Sequence, residues 1–177
     1  MEVIKRNGQH EPVFFDKISN RIGSMCTDVL KDLDYKIVAQ KTIQNLYDGI
    51  TTQELDDLSS RIAAAMSTYD PLYAILAGRI CISNLQKSTP NNFYECCEIL
   101  MNNKDINGDK SPLLNNEFFE IVSENQYLIE KEINYNRDFL IDFFGFKTLE
   151  RAYLIRCENK IIERPQHMWM RVAIGIH

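Results

Sequence analysis

Residues 3–18 read VIKRNGQHEPVFFDKI, and this stretch decides how the chain begins to fold. Asn7-Gly8 is the strongest short signal for a β-hairpin turn, because both residues tolerate a positive φ. Val3-Ile4 and the apolar run Val13–Phe15 flank this turn, so they predict two antiparallel strands. Pro12 has no amide donor and therefore suits an edge or the start of the second strand.

Four helices are predicted after the hairpin. Asp16 predicts the N-cap of the first helix, whose apolar stripe consists of Ile18, Ile22, Cys26 and Val29. The second helix is predicted over residues 35–47, with its apolar residues facing inward. These inward residues are Ile37, Ile43 and Leu46.

Two local signals set the third and fourth helices. Thr51 and Glu54 have the spacing of a capping box, in which each side chain satisfies a backbone amide of the other residue. Pro71 suits the first turn of the fourth helix, which continues to Lys87. The first 87 residues thus predict a complete small α+β unit.

The second half of the chain predicts further helices and one more hairpin. Residues 93–102 form a short amphipathic pattern, and the helical pattern resumes over residues 113–133. Two short apolar runs around Glu158-Asn159 indicate a hairpin, and Pro165 can begin a last helix. The predicted fold class is therefore mainly α, formally α+β.

Composition excludes several classes of protein. The chain has 177 residues and a net charge of -5, which argues against nucleic acid as a main partner. Its apolar runs are shorter than the ~18 residues that a membrane span needs. The five cysteines lack the spacing of a disulfide framework, so they predict reduced thiols in a cytosolic or nuclear protein. We expect a cytoplasmic protein.

The common motifs of catalysis and metal binding do not occur. The seven glycines form neither of the usual phosphate-binding loops, and the three histidines and five cysteines show no zinc-ligand spacing. The neighbouring Cys96 and Cys97 lie in a helical pattern and are interpreted as packing residues. We therefore expect no catalytic residue, no metal site and no redox cofactor in this segment.

The hairpin does predict an anion site. Lys5 and Arg6 would meet Lys17 if the hairpin folds over the first helix, whose start adds free amides. Thr52 and Asp56 lie four residues apart on one helical face, and Lys87 could join the group from the end of the fourth helix. Several cations from separate elements suit a triphosphate. The alternative is an ordinary solvated surface of lysines and arginines.

A family resemblance favours the anion site. The segments VIKRNGQ (3–9), VFFDKI (13–18), TTQELDDL (51–58) and YAILAGRICISNLQK (73–87) resemble an ATP-cone, the regulatory module of ribonucleotide reductases. The segments at 136–155 and 163–177 resemble the region after the cone in the class I ribonucleoside-diphosphate reductase large subunit of the eukaryotic and viral type. The resemblance implies an ATP-cone over residues 1–90 and a helical segment over residues 91–177, truncated before the catalytic barrel.

The resemblance also implies a ligand and its binding residues. The family's cone binds ATP as an activator or dATP as an inhibitor, and we expect Mg²⁺ to accompany the nucleotide. By position, the implied nucleotide-binding residues are Lys5, Arg6, Glu11, Pro12, Val13, Phe14, Phe15, Asp16, Lys17, Ile18, Thr52, Asp56 and Lys87.

The resemblance further implies the partners and limits of this chain. The implied partners are the remainder of the large subunit, other large subunits and the radical-generating small subunit. None of the five cysteines matches the family's catalytic cysteine motifs, so this chain alone is expected to be inactive. The alternative function is a nucleotide-sensing regulator that uses an ATP-cone, but it predicts a paired C-x-x-C zinc ribbon that the sequence lacks.

Overall fold

The computed structural model describes residues 1–176 and is mainly helical, as predicted. The α-helices are α1 (Phe15–Gly23), α2 (Tyr35–Gln44), α3 (Thr52–Ala65), α4 (Leu72–Gln86), α5 (Phe93–Met101), α6 (Asn116–Glu124), α7 (Gln126–Glu132), α8 (Phe143–Ala152) and α9 (Pro165–Ile176). The strands are β1 (Glu2–Ile4), β2 (His10–Pro12), β3 (Ile50–Thr51), β4 (Arg156–Cys157) and β5 (Lys160–Ile161).

The described chain divides into two compact units. The first contains residues Met1–Asn84 together with Phe139–Phe146. The second contains Leu85–Asp138 and the segment from Lys147 onward. The predicted domain boundary after residue 90 remains a prediction.

The hairpin forms at Asn7-Gly8, but its second strand lies earlier than predicted. The amide of Gly8 donates to the carbonyl of Lys5 over 2.9 Å, and Gly8 has a φ of 81°. The resulting loop has three residues, so Val3 pairs with Glu11 and β2 ends at Pro12. The prediction of a strand over Val13–Phe15 was therefore wrong.

This register also changes the start of α1. Phe14 precedes the helix with an extended backbone, and within residues 1–176 no side chain caps it. Asp16 lies in the first turn instead of at the N-cap, so that prediction was wrong. An acidic residue in this position still suits the positive end of the helix dipole.

A third strand completes the sheet. β3 lies parallel to β1, with Ile50 opposite Val3, although these two residues are 47 positions apart in the sequence. Gly49 makes the entry turn with a φ of 78°, and Ile50 is buried. Thr51 then caps α3 through the predicted capping box with Glu54.

Apolar residues of α1–α4 form the core of the first unit, but two predicted members lie outside it. Ile18 and Ile22 are buried as predicted. Val29 is 63% exposed because α1 ends at Gly23 and a positive φ at Asp28 turns the chain away. Ile37 is 39% exposed, because α2 presents Val38 and its neighbours to the core instead.

The second unit has a separate apolar core and the predicted second hairpin. Phe93, Cys97, Phe118 and Val122 form the centre of this core. β4 and β5 are antiparallel, and both turn residues between them, Glu158 and Asn159, have a positive φ. The helical region predicted over residues 113–133 is interrupted at Asn125, which separates α6 from α7.

Two further predictions for the second unit agree with the structure. α9 begins at Pro165, and both Cys96 and Cys97 are buried in α5. Burial raises the pKa of the Cys97 thiol to about 12, which suits packing and not redox chemistry. Among residues 1–176, no helix is long and apolar enough to cross a membrane.

Candidate nucleotide site

Asp56 is the centre of a charged cluster in the first unit. Its side chain is only 8% exposed, because α3 carries it against α1 and α4. Arg21 of α1 binds it with two hydrogen bonds, from Nε to Oδ1 over 3.1 Å and from Nη2 to Oδ2 over 3.2 Å. This planar two-bond contact fixes the orientation of the carboxylate as well as its position.

Arg6 reaches the same carboxylate from the hairpin loop. Its Nη2 lies 3.5 Å from Oδ2 of Asp56 and also donates to the side-chain oxygen of Asn84. Asn84 donates in turn to the carbonyl of Gln53 over 3.2 Å. The hairpin loop is therefore held against α3 and α4 by polar contacts.

Two lysines meet on one glutamate at the base of the hairpin. Lys5 follows β1 and Lys17 lies in α1, and both ammonium groups pair with the carboxylate of Glu11 on β2. Hydrogen bonds from Lys17 and then from Lys5 hold the pKa of Glu11 below its usual range. The predicted convergence of Lys5 and Lys17 is present, with Glu11 as the group that joins them.

The predicted residues between Glu11 and Ile18 have different environments. Phe14 and Phe15 are half-exposed aromatic residues, and the Lys17 ammonium lies 4.8 Å from the centre of the Phe14 ring. Pro12 and Asp16 are exposed. Ile18 is buried in the core of the first unit, and Val13 is partly buried against that core. These two residues therefore pack inward and are not part of the exposed surface.

Thr52 and Lys87 occupy the ends of two helices. Thr52 is the first residue of α3 and lies one helical turn before Asp56. Lys87 is exposed, directly follows α4 and belongs to the second unit. The role of either residue in nucleotide binding remains a prediction.

Three residues of the cluster were not predicted from the sequence. They are Arg21, Ser83 and Asn84, which connect α1 and α4 to Asp56 and Arg6. Arg21 is separated from Asp56 by 35 positions and from Ser83 by 62, so no local pattern joins them. The only local signal was Arg21 itself, a charged residue between the buried Ile18 and Ile22.

The charge balance of the cluster favours an anion. Four cations, Lys5, Arg6, Lys17 and Arg21, face the two carboxylates of Glu11 and Asp56. This local excess of positive charge contrasts with the net charge of -5 of the whole chain. Such a concentration of positive charge attracts anionic ligands. Within residues 1–176, no three His, Cys, Asp or Glu residues are grouped to hold a metal ion.

Comparisons with known families match both parts of the chain. The family described as ATP cone domain matches residues 1–88. The family described as ribonucleotide reductase, all-alpha domain, matches residues 139–177.

Full-length relatives extend the same similarity to the whole chain. The ribonucleoside-diphosphate reductase large subunit of Monkeypox virus is 50% identical over 179 residues, which cover 100% of this chain and 23% of that protein. The large subunits of Danio rerio and Arabidopsis thaliana are 48% and 46% identical over 179 residues, with 100% of this chain and 22% of each relative covered. This chain therefore spans less than a quarter of the length of these relatives.

Every segment that carried the sequence resemblance lies inside these matches, and the matched first part contains the cluster around Asp56 and Glu11. The chain belongs to the ribonucleotide reductase large-subunit family, and it carries an ATP cone domain together with a stretch of the all-alpha domain.

Proposed function

We propose that this chain is the allosteric ATP- and dATP-binding region of a ribonucleoside-diphosphate reductase large subunit. The observation that carries the proposal is the group of four cations in the segment that matches the ATP cone. A triphosphate carries several negative charges, and each phosphate gains from charge-assisted hydrogen bonds. The sequence-predicted residues from Lys5 to Lys87 are the proposed binding set.

Lys5, Arg6 and Lys17 are the proposed phosphate ligands. Each of these three side chains is at least a quarter exposed, and each contacts a carboxylate. A phosphate would take the place of the carboxylate at each cation, so binding exchanges one ion pair for another. Mg²⁺ enters with the nucleotide in this proposal, bound to the phosphates.

Other residues are proposed to hold the nucleoside. The Phe14 ring, whose centre lies 4.8 Å from the Lys17 ammonium, and the half-exposed Phe15 ring offer flat apolar surfaces for a base. Asp56 would repel phosphate, so it is assigned to a ribose hydroxyl or to the base amine. A group that detects the ribose hydroxyl can distinguish ATP from dATP.

Regulation by this site would act on the rest of the enzyme. The relatives are more than four times as long as this chain, so the reduction of ribonucleotides is assigned to the complete large subunit. The proposed partners are the remainder of that subunit, other large subunits and the small subunit. The proposed location is the cytoplasm, because the five cysteines lack the spacing of a disulfide framework.

Calorimetric titration of the chain with ATP and with dATP in magnesium buffer tests the proposal. We expect saturable binding of both nucleotides. Lys5→Ala should weaken both by about 1.5–3 kcal/mol, because a charged hydrogen bond to phosphate is lost. Lys36→Ala removes an exposed lysine of α2 and serves as the matched control, with unchanged affinities.

Failure to bind would contradict the proposal. A folded sample, verified by its thermal unfolding transition, that binds neither ATP nor dATP would show that the cluster is not a nucleotide site. Equal weakening by Lys5→Ala and Lys36→Ala would instead show that lysines act only through overall charge.

A further inference from the structure

Arg21 lies outside every segment of the predicted binding set, yet it donates hydrogen bonds to both carboxylate oxygens of Asp56. We infer that Arg21 is the positioning residue of the site: it orients Asp56 for nucleotide discrimination and leaves Arg6 available to bind phosphate. The inference rests on the proposed function, because it concerns how the same site recognises its nucleotide.

The geometry of Arg21 fixes the carboxylate from one side. The two bonds of 3.1 and 3.2 Å from Arg21 engage both oxygens of Asp56. Ser83 of α4 accepts a hydrogen bond from Nη2 of Arg21 over 2.9 Å, so the guanidinium is itself held in place. A fixed carboxylate can distinguish a hydroxyl from its absence, whereas a rotating one loses directional preference.

Charge compensation gives Arg21 a second role. Asp56 is almost fully buried, and a buried carboxylate without a cation is strongly disfavoured. Both Arg6 and Arg21 form ion pairs with this carboxylate. When Arg6 moves to a phosphate, Arg21 remains as the partner of Asp56. Without Arg21, Arg6 would be the principal cation on Asp56 and would bind phosphate less readily.

The two arginines are placed for this division of roles. Arg6 lies in a three-residue hairpin loop, outside any helix. Arg21 lies in the last turn of α1, one turn away from the buried Ile18 and next to the buried Ile22. The helix fixes the backbone of Arg21, whereas Arg6 lies on a loop and its side chain is 28% exposed, so an incoming phosphate can reach it.

The test compares Arg21→Gln with Asp56→Asn by calorimetric titration with ATP, dATP and AMP. Asp56→Asn should bring the ATP and dATP dissociation constants close together. Arg21→Gln should do the same, and it should also weaken ATP about tenfold or more while weakening AMP less, because Arg6 is retained by Asp56. Arg21→Lys keeps the charge but loses the two-bond contact, so an intermediate loss of discrimination is expected.

A double variant distinguishes a positioning role of Arg21 from a purely structural role. If Arg21 discriminates through Asp56, then Arg21→Gln combined with Asp56→Asn should give the same ATP-to-dATP ratio as Asp56→Asn alone. This double variant removes both charges, and it is expected to remain folded where Arg21→Gln alone leaves a buried carboxylate with one cation fewer.

Arg61→Gln is the matched control, because it also replaces an arginine by glutamine and removes one positive charge. Arg61 pairs with Asp57 on α3, with Nε 3.2 Å from Oδ2, and its side chain is 63% exposed. Its substitution should leave the discrimination ratio and the ATP affinity unchanged.

The possible failures are distinguishable. An unsubstituted chain that binds neither nucleotide refutes the proposed function and the inference with it. An unsubstituted chain that discriminates, together with a folded Arg21→Gln variant that keeps the same ratio and affinity, overturns the inference alone. If Arg21→Gln does not fold, Arg21→Lys decides: an unchanged ratio overturns the inference, and a reduced ratio supports it.

Discussion

Each unit contains a group of buried or half-buried charges, but the two groups are held by different kinds of partner. In the first unit, the described contacts of Arg21, Arg6 and Asp56 join side chains to side chains. In the second unit, Arg164, Asp138 and Glu163 each bond backbone groups in addition to side chains. The same residue types thus have different consequences, because side chains can exchange partners and a folded backbone cannot.

Arg164 shows the second arrangement most clearly. Its guanidinium donates to the carbonyls of Gln86 and Thr89 over 3.0 and 3.3 Å, and to the hydroxyl of Thr89 over 3.0 Å. Its own amide donates to Nδ1 of His167 over 3.3 Å. Burial, with the nearby charge of Arg164, lowers the pKa of His167 to about 3, so this imidazole stays neutral.

The carboxylates of the second unit follow the same rule. Asp138 accepts from the amide of Gln166 over 3.0 Å and thereby holds the start of α9. Glu163 accepts from the amide of Ile155 over 3.0 Å and pairs with Arg171. These charges replace backbone hydrogen bonds that the irregular segments lack. We therefore interpret the second group as structural and the first as a site open to a ligand.

Arg164→Ala should reduce the free energy of unfolding more than the other substitutions do. A small effect would contradict the comparison between the two units. The substitution leaves the carbonyls of Gln86 and Thr89 without their guanidinium donor and removes a positive charge near Asp138, so the free energy of unfolding should fall by about 3–5 kcal/mol. Chemical denaturation measures this loss. Nucleotide affinity of the folded fraction should not change.

Arg137→Ala is the control for Arg164→Ala. Arg137 is exposed in the same unit, and its loss should change the free energy of unfolding by no more than about 0.5 kcal/mol. Equal effects of the two substitutions would mean that the buried contacts of Arg164 contribute nothing particular.

Asp138→Asn tests the comparison through the pH dependence of the free energy of unfolding. Burial raises the pKa of Asp138 to about 6, although hydrogen bonds from Gln86 and Gln166 and the charge of Arg164 act in the opposite direction. The folded state therefore binds this proton more tightly than the unfolded state, whose aspartates titrate near pH 3.9. As the pH falls from about 6 to 4, the native chain should gain about 1–3 kcal/mol of unfolding free energy relative to the variant.

Denaturation curves at several pH values measure this difference, and the other titrating groups cancel because both proteins share them. Asp32→Asn, which changes an exposed aspartate, should remain parallel to the unsubstituted chain. If the unfolding free energy of Asp138→Asn also changed with pH in parallel with that of the unsubstituted chain, the pKa of Asp138 in the folded protein would lie near its ordinary value.

Local chemistry made some parts of the fold predictable. The capping box of Thr51 and Glu54 and the start of α9 at Pro165 depend only on residues within one helical turn. The convergence of Lys5 with Lys17 was also predictable, because a hairpin loop followed at once by a helix brings them together. These features need no knowledge of distant segments.

Other parts depend on contacts that no local pattern contains. β3 is a strand because β1 lies beside it, and Arg6 reaches Asn84 across 78 positions. Val29 continued the helical spacing of α1, but a single positive φ at Asp28 placed Leu30 in the core instead. Arg21 was missed for the same reason, since its role depends on where α3 places Asp56.

Glu11→Gln should have the smallest effect on stability and a measurable effect on binding. Glu11 forms ion pairs with both Lys5 and Lys17, so we expect it to compete with phosphate for these cations. Removal of its charge should raise the affinity for ATP and dATP by about two- to fivefold, because exposed ion pairs are weak. The thermal unfolding temperature should hardly change.

Glu117→Gln makes the same change in net charge at an exposed site on α6 and should leave nucleotide affinity unaltered. A loss of affinity in Glu11→Gln would contradict the competition argument, and it would mean that Glu11 orients the two lysines for phosphate. In either case the titration distinguishes the roles, because a competitor and an orienting group change the affinity in opposite directions. The comparison between the units depends on whether the charged side chains of the first unit can exchange one partner for another. The change in nucleotide affinity of Glu11→Gln tests that exchange.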